Sequence, residues 1–228
     1  MLRRLRRAAV RLAGAFVLAS LAGVVLFRFV DPPATPLMLI RVVERWRAGQ
    51  AGGFAYTPVA LAAVSPALQR AVIAAEDARF FLHHGVDLAA ARQAAEYNAR
   101  TGGRRLRGAS TITMQCARNV FLWPGRTWLR KGVEVWFALL MELVWGKRRI
   151  LEVYLNVAEW GDGVYGVEAA ARQWFGRSAR DVGPTEASLL AAVLPSPRRW
   201  SPAQPSDHVR RRAAIIARRA AAQPLGRP

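Results

Sequence analysis

What this chain has little of narrows it first. It has one cysteine, Cys116, in 228 residues. A single thiol excludes an internal disulfide and any multi-cysteine metal site, and its expected place is as a small buried residue. Acid is scarce: 15 Asp and Glu stand against 34 Lys and Arg, a formal charge of +19. Lysine is scarcer still. Lys131 and Lys147 are the only two, so nearly all the positive charge is guanidinium. Such a chain seeks anionic partners: nucleic acid, an anionic membrane surface or a phosphate-bearing substrate. The two lysines exclude a serine nucleophile of the S-x-x-K kind, because Trp128 and Val144 stand three residues before them. There is no internal repeat and no long alternating run that argues for a sheet.

One apolar run is long. "MLRRLRRAAVR" carries five arginines and is followed by uncharged residues from Leu12 to Phe27. A spanning helix needs roughly 20 apolar residues, with about 17 as the lower limit. Leu12 to Val30 meets this if Arg28 snorkels to the far interface. The arginine asymmetry places 1–11 as a cytoplasmic basic tail, 12–30 as a transmembrane anchor, and the body, 37–228, outside the cytoplasm in a periplasm-like space. A cleaved signal peptide is the competing reading. No convincing small-x-small cleavage site stands before "DPPATP", which favours the uncleaved anchor.

Beyond the Pro-rich break at 31–36 the body reads as mainly α. "LMLIRVVERWRAG" has helical spacing. "SPALQRAVIAAEDARFFLHHG" reads as a helix with Ser65 as N-cap, Pro66 in its first turn and Gly85 beyond its end. Helical patterns continue through 88–100, "STITMQCARNVFL", "TWLRKGVEVWFALLMELVWG", "RRILEVYLNVAEW", "VEAAARQWFG" and 207–222. "GDGVYG" lacks the spacing of a phosphate-binding fingerprint and reads as a tight turn. "RTGGRRLR", 100–107, sets two glycines beside four arginines. It reads as a mobile lid near an anionic substrate, with a solvated loop as the plain alternative.

In a chain so poor in acid and histidine, "AAEDARFFLHHGVD" (74–87) concentrates both. Glu76 beside aromatic residues and a helix exit is a candidate for a carboxyl whose proton affinity is raised by desolvation, which suits general base or acid work. The plain alternative is a helix-end acid paired with one of many arginines. His83 and His84 are adjacent and make a poor metal pair; one of them is expected to bond a carboxylate or a carbonyl. Farther along, Arg126, Arg130 and Lys131 crowd a helix start capped by Thr127, where the macrodipole disfavours cations. That placement makes sense if an anion docks there; a solvated basic face is the alternative. "GASTITMQ" puts three hydroxyls at a helix entry, where they either place donors on a ligand or simply cap the helix.

Together these segments resemble the peptidoglycan transglycosylases of glycosyltransferase family 51, and more narrowly the monofunctional biosynthetic ones. The family pattern E-D-x-x-F-x-x-H-x-G falls on Glu76, Asp77, Phe80, His83 and Gly85. G-G-S-T-I-T-Q-Q-x-x-K-N is matched by "GASTITMQCARN", 108–119, and R-K-x-x-E by Arg130, Lys131 and Glu134. I-L-E-x-Y-L-N falls on 150–156, with further matches from Gly163 to Gly176 and from Glu186 to Pro197. Three departures stand out: Ala109 for the second glycine, Met114 for the first glutamine, and Arg118 for the lysine, a planar fork in place of a point charge.

The resemblance implies a lysozyme-like helical fold with a membrane-embedded small lobe. It implies an inverting polymerisation of the lipid-linked disaccharide, lipid II, with release of undecaprenyl pyrophosphate. Glu76 would be the general base, and Glu134 the second catalytic carboxylate, orienting cations or helping the leaving group. The substrate would be held by Asp77, Phe80, His83, Ser110, Thr111, Gln115, Asn119 and the cations Arg118, Arg126, Arg130 and Lys131. A pyrophosphate is already a good leaving group, which explains cations in place of a second acid. No cofactor is required by the resemblance; a divalent cation, Mg or Mn, is compatible with it, though no ligand set is legible. The partners implied are lipid II, the growing strand and the bacterial inner membrane, with cell-division or cell-wall synthases open and nucleic acid excluded. Two rivals differ in class. A lysozyme-type hydrolase would need no pyrophosphate clamp, and a tethered nucleic-acid binder would need neither Glu76 nor Glu134.

Overall fold

The computed structural model describes residues 1–50, 52–102, 107–125 and 127–226. Arg126 therefore lies outside the described residues, as do Arg104 and Arg105 of the proposed lid. The described residues form ten α-helices: α1 (Leu2–Phe29), α2 (Pro36–Arg47), α3 (Pro66–Glu76), α4 (Leu88–Arg100), α5 (Ile112–Phe121), α6 (Trp128–Val144), α7 (Gly146–Val157), α8 (Val167–Phe175), α9 (Pro184–Val193) and α10 (Asp207–Ala221). The mainly α class read from the sequence is the one found. The strand content is one small sheet of β1 (Ala55–Tyr56), β2 (Glu159–Gly161) and β3 (Val164–Tyr165) in the order β1-β3-β2. "GDGVYG" is the tight antiparallel turn of this sheet, with Gly163 at φ +72°.

Side chains that fill free N–H groups set the helix starts. Ser65 Oγ accepts from Leu68 N at 3.1 Å, Thr111 Oγ1 from Met114 N at 3.1 Å, and Thr127 Oγ1 from Arg130 N at 3.3 Å. The helix expected over 65–84 stops earlier, at Glu76. Asp77 turns out of helical geometry (φ −159°, ψ 73°), and a short 3₁₀ turn, Phe80–Leu82, follows. The reason is long-range. The Asp77 carboxylate accepts from Ile112 N of α5 at 2.9 Å and from His83 Nε2 at 2.9 Å.

Two helix groups share one core. α3, α9 and α10 pack against one another, and α5 packs against α6 and α7. Tyr154, Trp160, Phe80, Leu68, Ile112, Met141 and Leu155 are fully buried, and Cys116 has no exposed surface. α1 is the one helix, among the described residues, long and apolar enough to cross a membrane. It packs on α6, where Trp136 Nε1 donates to Ser20 Oγ at 3.1 Å and Trp145 Nε1 to Val24 O at 2.6 Å. Its exit is tied to α7: the Arg149 guanidinium donates to the carbonyls of Phe27 (3.0 Å) and Val30 (3.1 Å) and pairs with Asp31 at 2.7 Å.

One glycine is obligatory for this arrangement. Gly166 (φ +83°) starts α8, and a Cβ there would lie 2.7 Å from the carbonyl oxygen of Asn156. Asn156 cannot yield, because its amide bonds both N and O of Val59. Gly166→Ala is expected to cost at least ~2 kcal/mol, read as a fall in Tm of roughly 4–8 °C.

Candidate active site

The last residue of α3, Glu76, lies where the two helix groups meet. Gln115 Nε2, on α5, donates to Glu76 Oε2 at 3.0 Å. The amide of Gln115 is itself oriented, since Tyr154 OH on α7 donates to its Oε1 at 3.3 Å. Arg212 on α10 approaches from the other side, Nη2 3.6 Å from Glu76 Oε1. Desolvation pushes the carboxyl above its ordinary proton affinity. The Gln115 hydrogen bond and the charges of Arg212 and Arg118 oppose that rise, and Asp77 adds to it. A carboxylate with raised affinity and one oxygen free of hydrogen bonds is equipped to take a proton.

Asp77 does different work. Its oxygens hold His83 Nε2 and Ile112 N, both in the interior. His83 thus bonds a carboxylate, as one of the two histidines was expected to. Thr111 caps α5 and donates Oγ1 to Gly85 O at 2.6 Å, so it too is committed to the scaffold. Phe80, read from the sequence as a substrate contact, has no exposed surface. It packs against Phe81 with centroids 5.0 Å apart and carries Lys147 Nζ over its ring at 4.5 Å. Its position is in the core beneath the site, because the turn after Asp77 points it inward.

Glu134 is fully buried. Its oxygens meet Arg130 Nη1 at 2.6 Å and Lys131 Nζ at 2.6 Å. Of the two roles open to it, orienting cations is the one its geometry fits, since neither oxygen faces an open space. The cations at this helix start are therefore held by a carboxylate of the chain itself, two against one. Lys131 also donates to Ser110 Oγ at 3.2 Å. Ser110 lines a cavity of about 180 Å³ with Glu76, Asp77, Asp87 and Thr111, which links the cation cluster to Glu76. On the other side of Gln115, Arg118 and Asn119 line a cavity of about 240 Å³ with Tyr154, Pro124 and Arg41. Among the described residues Arg118 makes no ion pair, so its fork is available to an anion.

The departures from the family pattern fall into place. Met114 is buried in the core, so an apolar side chain suits it, while Gln115 keeps the contact with Glu76. Ala109 lines the cavity beside Glu76. For the divalent cation, no three His, Cys, Asp or Glu side chains converge among the described residues.

A family model described as Transglycosylase matches residues 48–221. The chain belongs to the peptidoglycan transglycosylases of glycosyltransferase family 51. It is 56% identical over 220 residues to a biosynthetic peptidoglycan transglycosylase of Rhodospirillum centenum, covering 96% of this chain and 91% of that one. It is 51% identical over 214 residues to the one of Xanthomonas campestris (93% and 85% covered), and 52% over 201 residues to the one of Pseudomonas aeruginosa (88% and 86%).

Arg212 and Tyr154 were missed as site residues. Tyr154 was visible inside the matched I-L-E-x-Y-L-N segment; Arg212 was one of three consecutive arginines with nothing local to single it out.

Glu134→Gln removes the charge between Arg130 and Lys131 and leaves a buried guanidinium uncompensated. Breaking a buried pair in this way costs on the order of 3–5 kcal/mol, so thermal unfolding should show a marked loss of stability.

Proposed function

We propose that this transglycosylase polymerises lipid II into glycan strands by a single inverting displacement, with Glu76 as general base. Glu76 Oε1 takes the proton from the 4-hydroxyl of the acceptor sugar as that oxygen attacks the anomeric carbon of the growing chain. The bond from that carbon to the pyrophosphate oxygen breaks, and undecaprenyl pyrophosphate leaves with the electron pair. One in-line displacement inverts the anomeric centre. Arg118, with Arg126, neutralises the departing pyrophosphate, and Arg130 and Lys131, ordered by Glu134, extend the positive field. Charge neutralisation suffices for such a leaving group, so no second acid is needed. The observation that carries this reading is the Glu76 carboxyl, raised in proton affinity by burial, with Gln115 on Oε2, Oε1 free of hydrogen bonds, and Arg118, which makes no ion pair among the described residues, three residues after Gln115 on α5.

Location follows the same reading. α1 is the single anchor of an inner-membrane protein, with the arginine-rich tail in the cytoplasm and the catalytic body in the periplasm. Exposed Trp128, Leu129, Leu139 and Leu143 on α6 add apolar surface beside it, consistent with a lobe that sits in the bilayer. With no S-x-x-K serine, the chain carries out glycosyl transfer without transpeptidation.

The test is incubation of the purified protein with labelled lipid II and separation of polymer from hydrolysed disaccharide. Polymer supports the proposal; free disaccharide without polymer supports a hydrolase. Glu76→Gln keeps the shape and removes the base, so polymerisation should fall by about 10² or more with thermal stability maintained. A folded Glu76→Gln protein within a few-fold of wild type removes Glu76 as the base. Arg118→Ala should slow polymerisation by roughly 10- to 150-fold, the worth of a lost charge-assisted bond; unchanged turnover removes Arg118 from the clamp.

A further inference from the structure

We propose that Arg212, on the C-terminal helix α10, is a positioning residue for the base: it attracts the Glu76 carboxylate without bonding to it and so keeps Oε1 as the oxygen that takes the proton. This rests on the assignment of Glu76 as base.

The two carboxylate oxygens are not equivalent. Oε2 accepts from Gln115 at 3.0 Å, and Gln115 cannot flip without losing Tyr154. Oε1 has Arg212 Nη2 at 3.6 Å, close enough for attraction and too far for a hydrogen bond. The gap is built in, because the guanidinium is held from behind. Arg212 Nε donates to Ala192 O at 3.2 Å, in the last turn of α9, where carbonyls lack helical partners and favour a cation. A bidentate Arg–carboxylate fork would occupy the lone pairs that a base needs. Here the cation stabilises the charged form while leaving one lone pair open.

The other charged groups around Glu76 do not replace it. Asp77, next in sequence, opposes the charge; Arg118 approaches from α5, and Tyr154 from α7 is neutral. Arg79 and Asp87 line the cavity on the α4 side and pair with each other at 3.2 Å. On α10, His208, Arg211 and Arg219 share with Arg212 a cavity of about 440 Å³ behind Ala75, and His208 packs on Trp200 with centroids 5.1 Å apart. Among the described residues, only Arg212 of that helix pairs with Glu76.

Polymerisation of labelled lipid II by the full-length protein, followed from about pH 5.5 to 9, tests this. Without the cation the base protonates at higher pH, so Arg212→Gln should lose roughly 3–10-fold more activity at the acid end than at the alkaline end. Arg212→Met, which keeps the aliphatic packing, is the second neutral variant should glutamine fail to fold. Arg212→Lys keeps a charge and should bring the acid limb back towards that of wild type. A loss by the same factor at every pH in the neutral variants means a scaffold role only and overturns the proposal. Glu76→Gln separates the two claims. If it abolishes the acid limb while the Arg212 variants leave the limb in place, Arg212 alone is wrongly assigned. If the limb survives in Glu76→Gln, the base itself is.

Discussion

The carboxylate of Asp77 is the constraint on which the site depends. It ends α3, accepts the first free N–H of α5 and holds His83, all at once. Because those three tasks meet in one side chain, α3 cannot run on past Glu76, and α5 must start where it does. Gln115 then lies one turn into α5, at the distance that lets its amide reach Glu76. Two adjacent carboxylates thus have opposite fates. Asp77 has its oxygens filled by donors from the interior. Glu76, one residue earlier, faces the junction with one oxygen open.

The scarcity of acid takes on meaning in the same terms. Interior cations need counter-charges, and several of the 15 acids serve that purpose. Glu134 holds Arg130 and Lys131, Glu142 holds Lys147, and Glu152 with Asp31 holds Arg149. Glu168 closes the turn after α8 by accepting from Ala179 N at 2.8 Å and Ser178 Oγ at 3.2 Å. These pairs neutralise inside the body, so the surplus positive charge is left for surfaces and cavities. Among the described residues Arg118 is such a cation, on the same helix as Gln115, which bonds Glu76.

Local chemistry was legible in the sequence; remote contacts were not. Ser65 and Thr127 as helix starts, the buried Cys116 and the tight turn in "GDGVYG" all follow from residue types within a few positions. The break after Glu76 was blurred because its cause, the N–H of Ile112, lies 35 residues away. Phe80 was a substrate contact only through the resemblance, whose pattern carries no direction for the side chain; the turn that follows Asp77 decides that it points inward. Arg212 gave no signal, since a basic helix in a chain of charge +19 is unremarkable until α9 and α10 set one of its side chains against Glu76.

The helix α6 joins the apolar surface of α1 to the polar site. Its 17 residues span about 26 Å at 1.5 Å per residue. Near its start stand Arg130, Lys131 and Glu134; along its length Trp136 and, just past its end, Trp145 bond to α1. A rigid rod of fixed length therefore sets how far the cation cluster sits from the apolar surface of α1. In the proposed reaction the leaving group is itself such a rod-end, a pyrophosphate at a fixed bond distance from its lipid. With α1 spanning the bilayer as proposed, a lipid alongside it would place its head only within a narrow band of height, and α6 puts the cations at a height of their own. In the proposed reaction, matching these two heights would be a positional requirement that a soluble hydrolase on a similar helical scaffold would not have to meet.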